Sequence, residues 1–382
     1  MFIVAPRLRH FKVNDRIAIT YSILGDQAKE IAEAIRVEQS IEFPFDLASE
    51  RIQQEVVGQI ESISAPINNR TQVVISYDQR VVGAELPQLL NVLWGNVSLI
   101  PGVRITDLVI PDSLLNTFKG PRFGIAGLRT FFNAPDRPLI TTALKPMGSS
   151  VSELAQMATT LASAGFDIIK DDHSLANQPW ARWRERVEAV AIAVREANAK
   201  SGHKTLYAPS LNLPADQIFN AAQEAKSLGA GALLLLPGIS GFDAMRAIAH
   251  DDSIGLPIQA HPSMLGSMLT SGEQGVAHPI VLGTLMRIAG ADISIFPNFS
   301  GRFSFTKQEC LSITDAAQSQ LGNLKSMWVA PAGGMSLDRI PQMREIYGSA
   351  LALLIGGALS RGSLAENAKA MVEMVEINKK NW

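Results

Sequence analysis

Apolar and polar positions along the chain change rhythm near residue 138. Upstream, residues 16–24 alternate as a strand should, and residues 26–38 carry helical spacing. Residues 72–78, 86–94 and 105–110 read as strand, short helix and strand. With one more strand expected within 39–70, this order predicts a small α+β sandwich of the ferredoxin-like type. Downstream, apolar runs recur at Pro138–Lys145, Asp167–Asp172, Thr205–Asn212, Ala232–Pro237, Pro257–His261, Asp292–Pro297, Met327–Gly333 and Leu351–Gly357. Amphipathic stretches lie between and after them, among them Val151–Ala164, Trp180–Asn198, Ala215–Leu228 and Leu364–Ile377. Eight β/α units in roughly 245 residues match a (β/α)8 TIM barrel, which typically needs about 250. A doubly wound sheet is the rival architecture. The count of eight, and the lack of a GxGxxG turn after the first strand, speak for the barrel. The expected division is an N-terminal α+β domain over 1–125 and a C-terminal α/β barrel over 126–382.

Composition narrows the classes of function. Net charge is −2, so no global field draws the chain to nucleic acid or to a membrane surface. The single cysteine, Cys310, excludes an intramolecular disulfide and a cysteine metal site, and it fits a reducing cytoplasm. The first residues, MFIVAPRLRHFKVNDR, lack an apolar core of signal-peptide length. No apolar run is long enough to span a bilayer.

The chemistry gathers at the carboxyl ends of the predicted barrel strands, which form the active face of such a barrel. Lys145, Lys170, Asp172, Asn212, His261, Asn298, Gly333–Gly334 and Gly356–Gly357 all fall there. The richest stretch is KDDH. On a strand, Lys170 and Asp172 face one way and Asp171 the other. Lys170 can be half of a structural ion pair. Alternatively it is a desolvated lysine that takes up CO2 as a carbamate and, with Asp172 and His173, binds Mg2+. Lys145 can snorkel at the rim or act as the general acid or base. His261 can pack, or hold a substrate hydroxyl. Each glycine pair alone reads as a turn. Together, after strands seven and eight, they match the usual barrel phosphate site. Arg302, in NFSGRFSF, is either a solvated loop residue or a clamp on that phosphate.

These segments resemble the large-chain RuBisCO superfamily. KDDH followed by NQPW is similar to its KDDE…QPF signature, and LKPMG to the first half of KPKLG. GPRFGIAGLR resembles the segment entering its barrel, PAGGM with LLIGG its paired phosphate loops, and WGNVSLIPG an N-terminal segment. The similarity runs from about Ala18 to Val375. The departures are specific. His173 stands where the metal-binding glutamate belongs, Met147 replaces the second lysine of KPKLG, and Pro262 replaces a phosphate-binding arginine. Ile295 falls at the next rim histidine, Ala332 at a serine, Arg302 at the catalytic loop lysine, and Phe43–Pro44 near a Thr-Trp pair that grips phosphate.

The resemblance implies a RuBisCO-like protein that does not fix CO2 onto ribulose bisphosphate. It implies a homodimer in which Asn96 and Glu38 act across the interface, and a phosphorylated small-molecule substrate. The retained set supports enolisation, isomerisation or decarboxylation of a phosphorylated keto-sugar or keto-sugar acid. VEQSIEFP and KDDH look closest to the branch handling 3-oxo-isoapionate 4-phosphate in apiose breakdown, by decarboxylation or by transcarboxylation and hydrolysis. The alternative is methionine salvage, as a 2,3-diketo-5-methylthiopentyl-1-phosphate enolase or a methylthioribulose-1-phosphate isomerase. GHKTLYAPSLN and the Phe296–Pro297 pair resemble the enolase, and His173 speaks against it. The third class is a non-enzymatic ligand-binding barrel.

Overall fold

The computed structural model describes residues 16–377, so the N-terminal stretch read for a leader lies largely outside the described residues. Two compact units are present. The first takes the described residues up to Phe118, together with Leu265–Val281 and Gln320–Leu324. The second takes the rest of the described residues. The boundary expected between residues 125 and 126 falls inside a helix, Gly124–Phe132, of the second unit.

The first unit runs β1 (Arg16–Leu24), α1 (Ala28–Glu38), β2 (Gln59–Ile63), β3 (Arg70–Asp78), α2 (Leu86–Trp94) and β4 (Val103–Val109). Its four strands lie in the order β4-β1-β3-β2, all antiparallel, which is the ferredoxin-like arrangement. The strand expected within 39–70 is β2. A fifth, two-residue strand, Gly275–Val276, adds in parallel to the β4 edge. Arg104 donates to the carbonyl oxygens of Ser271 and Gln274, and Arg70 to that of Glu273, so two guanidinium groups hold this segment.

The second unit holds α3 (Gly124–Phe132) and eight parallel strands: β5 (Leu139–Leu144), β6 (Ile168–Asp171), β7 (Leu206–Ala208), β8 (Leu233–Leu235), β9 (Ile258–Ala260), β10 (Ile293–Pro297), β11 (Trp328–Ala332) and β12 (Ala352–Leu354). They form two four-stranded sheets, β12-β5-β6-β7 and β8-β9-β10-β11. Single parallel bridges, Ser210 to Leu234 and Val329 to Leu351, join the sheets at both seams and close an eight-stranded ring. Each of the eight expected strands is present, usually shorter by a residue or more at its ends.

Local chemistry sets the connections. Helix α4 (Val151–Ala164) starts on Ser150, whose hydroxyl accepts from the Glu153 N–H while the Glu153 carboxylate accepts from the Ser150 N–H. It stops at Gly165, with φ 98°, a conformation that costs glycine little. The chain then drops into Phe166 and β6. The barrel interior packs Leu139, Ile168, Ala208, Leu234, Ile293, Ile295, Trp328 and Leu354. Helix α3 lies across the amino end of the strands. The Phe123 and Gly124 N–H groups both donate to Asp292 Oδ1 at 2.7 Å, and Trp328 Nε1 donates to the Gly124 carbonyl. The opposite rim is left for chemistry.

Candidate active site

Alternation along β6 separates three charged residues. Lys170 is 2 % exposed and donates from Nζ to the Asp171 carbonyl at 2.9 Å. Asp171 turns toward the helix layer. Its carboxylate accepts from Arg186 Nε at 3.0 Å, the Tyr207 hydroxyl at 2.8 Å and the Ser210 N–H at 3.0 Å, with Arg186 in α5 (Trp183–Ser201). Both ion-pair partners are fully buried, so Asp171 anchors the strand end and takes no part at the rim.

Asp172 turns to the rim and gathers cations and hydroxyls. Its Oδ1 lies 2.6 Å from Lys145 Nζ, at the end of β5, and 3.4 Å from His173 Nδ1. Its Oδ2 accepts from the Ser174 hydroxyl at 2.7 Å. Burial pushes this carboxyl toward its neutral form. Hydrogen bonds from His173, Lys145 and Ser174 more than reverse that and hold it well below the usual carboxylate range. Lys170 moves the other way. Burial lowers its pKa to about 8, Asp172 opposes the shift, and the Lys145 cation adds to it. A buried amine with that pKa is neutral for about a tenth of the time at pH 7.

Two histidines from different strands meet here. The His173 and His261 rings stack in parallel, with centroids 4.2 Å apart and planes 9° apart. His261 is kept neutral, its pKa driven well below the ordinary value by burial first and then by Lys170 and His173. Its Nδ1 accepts from the Ser263 N–H at 3.3 Å and lies 2.9 Å from the Ser263 hydroxyl. A backbone N–H can only donate, so Nδ1 carries the lone pair and Nε2 carries the proton. Neutral His261 therefore offers Nε2–H as a donor. Asn212 Nδ2 approaches the His173 carbonyl at 3.4 Å and steadies the same turn.

The loops after β10 and β11 also meet, and the loop after β12 lies beside Lys145. Gly333 and Gly334 both have φ near 90°, where a side chain would be strained. The Gly333 carbonyl accepts from the Arg302 N–H at 3.1 Å, and a Cβ on Gly334 would lie 3.3 Å from Arg302 Cγ. Arg302 and the first glycine pair thus share one patch, with the guanidinium 5.6 Å from its neighbour Phe303's ring centre. Gly356 lies alongside the Lys145 stem: a Cβ there would stand 3.5 Å from Lys145 Cε. Gly357 opens the short turn that follows. Asn298, expected at the rim, is 1 % exposed and turned inward. Its Oδ1 accepts from the Tyr347 hydroxyl at 2.6 Å, and its Nδ2 faces the Met335 and Met343 sulfurs. In the first unit, Asn96 Nδ2 donates to Glu38 Oε1 at 2.7 Å, so these two form a pair of their own.

Ser174 and Ser263 were not among the expected site residues. Each sits two residues after the group it holds, in DHS and HPS, and that i, i+2 spacing of a short hydroxyl was the available signal. Among the described residues, no three His, Cys, Asp or Glu side chains are close enough to hold a metal. Asp172 and His173 supply two donors, and a divalent cation fits only when Lys170 contributes oxygens as a carbamate. Among the described residues, no helix is long and apolar enough to cross a membrane.

Residues 124–298 match the family described as ribulose bisphosphate carboxylase large chain, catalytic domain. The chain is 37% identical to a 5-methylthioribulose-1-phosphate isomerase of Rhodospirillum rubrum, over 95% of this chain and 97% of that protein. It is 31% identical to a 2,3-diketo-5-methylthiopentyl-1-phosphate enolase of Bacillus pumilus, over 87% of this chain and 83% of that protein. A solved Rubisco-like protein from Rhodopseudomonas palustris superposes with a TM-score of 0.85 at 37% identity, covering 95% of this chain and 98% of that one.

Proposed function

The chain belongs to the RuBisCO-like proteins, and from that premise we propose that it is a metal-dependent isomerase of a singly phosphorylated keto-sugar of the 5-methylthioribulose 1-phosphate type. The observation that carries the reading is the Lys145–Asp172 pair, 2.6 Å apart, set beside a buried lysine of lowered pKa. That is a proton-transfer group next to a site able to hold charge. The isomerase similarity spans nearly the whole of both chains, and His173 at the glutamate position sets the chain apart from the enolase pattern. The apiose-branch substrate expected from VEQSIEFP and KDDH finds no support in these relatives, which favour the methylthio-sugar alternative.

The residues divide the work. Lys170, in its neutral form, adds CO2 at Nζ: an N–C bond forms, one proton leaves, and the amine becomes an anionic pair of oxygens beside Asp172. With that carbamate in place, Lys170, Asp172 and His173 would hold a divalent cation, Mg2+ on the family pattern, which would supply positive charge to stabilise an enolate. As a substrate carbon loses its proton to form that enolate, Lys145, acting as the neutral amine, takes that proton and, as the ammonium so formed, returns it to the neighbouring carbon. His261 donates from Nε2 to a substrate oxygen and fixes its orientation. Arg302 and the Gly333–Gly334 and Gly356–Gly357 loops hold one phosphate through a guanidinium and backbone N–H groups. With Pro262, Ile295 and Met147 in place of the second phosphate site and the second lysine, the chain is not a ribulose-bisphosphate carboxylase. The Glu38–Asn96 pair completes the site of a second copy in a homodimer.

The test is 31P and 1H NMR of 5-methylthioribulose 1-phosphate in deuterated buffer, with bicarbonate and a divalent cation. The expected result is an isomeric sugar phosphate carrying solvent deuterium at the reacting carbon. Turnover of 2,3-diketo-5-methylthiopentyl 1-phosphate alone would replace the isomerase with the enolase. CO2 release from 3-oxo-isoapionate 4-phosphate would restore the apiose branch. Binding of all three without turnover would mark a non-enzymatic ligand-binding barrel.

A further inference from the structure

We infer that the barrel interior holds a ligand site of its own, in which Thr141, Ser210 and Gln259 bind ordered water beneath the reacting residues. That water joins three strands across the barrel. The site stands apart from the reaction proposed above and needs neither metal nor substrate.

Strand pairing places the three residues. Side chains that fill a barrel of this kind come in levels of four, contributed by alternate strands. Thr141 pairs with Ile168 and Leu354, and Lys170 with Ala208. Gln259 pairs with Leu234 and Ile293, and Ile293 with Trp328. Ile168, Ala208, Leu234, Ile293, Trp328 and Leu354 belong to the interior core, so Thr141 and Gln259 face inward with them. Strand tilt moves each level on by roughly one residue per strand. Thr141, Ala208, Gln259 and Ala330 therefore share one level. Thr141 on β5 and Gln259 on β9 stand on opposite sides of the ring, and the two alanines fill little of the space between. The next level carries Lys170, Leu234, Ile295 and Leu354. Ser210 lies two residues beyond Ala208 and bridges to Leu234, so it faces inward one step higher again. Its N–H donates to Asp171 Oδ2 and its carbonyl accepts from Trp183 Nε1, which leaves the hydroxyl for the interior.

These three side chains are sealed from bulk solvent, at 1 % exposure for Thr141, 0 % for Ser210 and 2 % for Gln259. Thr141 Oγ1, Ser210 Oγ and Gln259 Nε2 have no hydrogen-bond partner within the protein. Buried polar groups are paired in folded proteins, and ordered water serves where protein atoms do not reach. Here three such atoms come from three strands and approach one space from different sides. A buried water typically makes about three hydrogen bonds, and two hydroxyls with an amide supply both donors and acceptors for it. The level of Thr141 and Gln259 contains no charged side chain, and Lys170 above it directs Nζ to the Asp171 carbonyl at 2.9 Å. The chemistry therefore suits a neutral ligand and not an ion. The strands joined by this water, β5 and β9, lead to Lys145 and His261, so it helps to set the spacing of those two groups.

The test pairs a crystal structure of the full chain, at a resolution that shows ordered water, with urea unfolding of Thr141→Val, Gln259→Met and the double variant. Neither residue belongs to the reacting set. We expect water density within hydrogen-bond distance of Thr141 Oγ1 and Gln259 Nε2, or of either with Ser210 Oγ. Each single substitution should raise the unfolding equilibrium constant about 5- to 150-fold, the effect of a buried polar group losing its partner. The double variant should lose less than the product of the two, because apolar groups of similar shape then replace both ends of one bridge. Density showing Gln259 bonded to a protein group, with no water beside it, would overturn the inference. Single effects that vanish, or that multiply in the double variant, would do the same. If a variant fails to fold, the wild-type density decides.

Discussion

Lys145 Nζ stands 2.6 Å from Asp172 Oδ1, so the ends of two neighbouring strands share one charge pair at the barrel rim. The carboxylate holds Lys145 Nζ in place for the proposed proton transfer, and Gly356, which has no side chain, lies against its stem. Lys145→Met keeps the stem and removes the proton carrier. We expect deuterium exchange at the substrate carbon to fall by about 10²–10⁴-fold, the usual worth of a general acid or base. The melting temperature should stay within a few degrees of wild type. A variant that melts far earlier would show that the pair serves the fold.

Lys170 is buried where an ammonium is costly, and its pKa is lowered to about 8 from an ordinary 10.5. Between those values the unfolded chain binds a proton that the folded chain lacks. Stability should therefore rise with pH through about 8 to 10.5 on account of this group. Lys170→Met should abolish turnover, fold normally, and flatten that rise. Urea unfolding at pH 7.5 and 9.5, without bicarbonate, compares the two chains. A rise of equal size in the variant would assign the effect to another group.

Asp171, next in sequence, behaves oppositely. It and Arg186 are fully buried and 3.0 Å apart, and Tyr207 and the Ser210 N–H complete the carboxylate's partners. Removing one member of a buried pair leaves the other charge uncompensated, at a cost of about 3–5 kcal/mol. Arg186→Met should lose that much stability in urea unfolding. Its folded fraction should retain the Lys145–Asp172 pair and measurable turnover. A loss below about 1 kcal/mol would mean that water enters and screens Asp171.

These contrasts show what the sequence could and could not reveal. Strand periodicity placed all eight barrel strands, because a strand buried on both faces reads as a short apolar run. Alternation also separated Asp171 from Lys170 and Asp172. The stack of His173 on His261 was not legible, since the two residues are 88 positions apart and meet only through ring closure. Arg186 looks like any helix arginine until β6 is laid against it. The capture of Leu265–Val281 by the ferredoxin-like unit was hidden for a similar reason. A two-residue strand has no period, and the arginines that hold it, Arg70 and Arg104, lie more than 160 residues upstream.

The loop carrying Arg302 offers a test of phosphate recognition that leaves the reacting residues alone. Asn298, 1 % exposed, is the anchor of that loop. Its N–H donates to the Ala332 carbonyl at 2.7 Å, its carbonyl accepts from the Gly301 N–H at 3.2 Å, and its Oδ1 accepts from the Tyr347 hydroxyl at 2.6 Å. The Arg302 N–H then reaches the Gly333 carbonyl, so the side-chain bond inside secures the guanidinium position outside. Tyr347→Phe removes one hydroxyl and leaves the ring packing in place. A single internal hydrogen bond is worth about 0.5–1.5 kcal/mol, which corresponds to roughly a 2- to 12-fold rise in KM for the phosphorylated substrate. kcat should hardly change, because Lys145 and His261 are untouched. The dephosphorylated sugar should show no difference between Tyr347→Phe and wild type, and Arg302→Ala should make the Tyr347 substitution silent. If kcat falls while KM holds, the Asn298–Tyr347 bond supports the reacting cluster and not the phosphate loop.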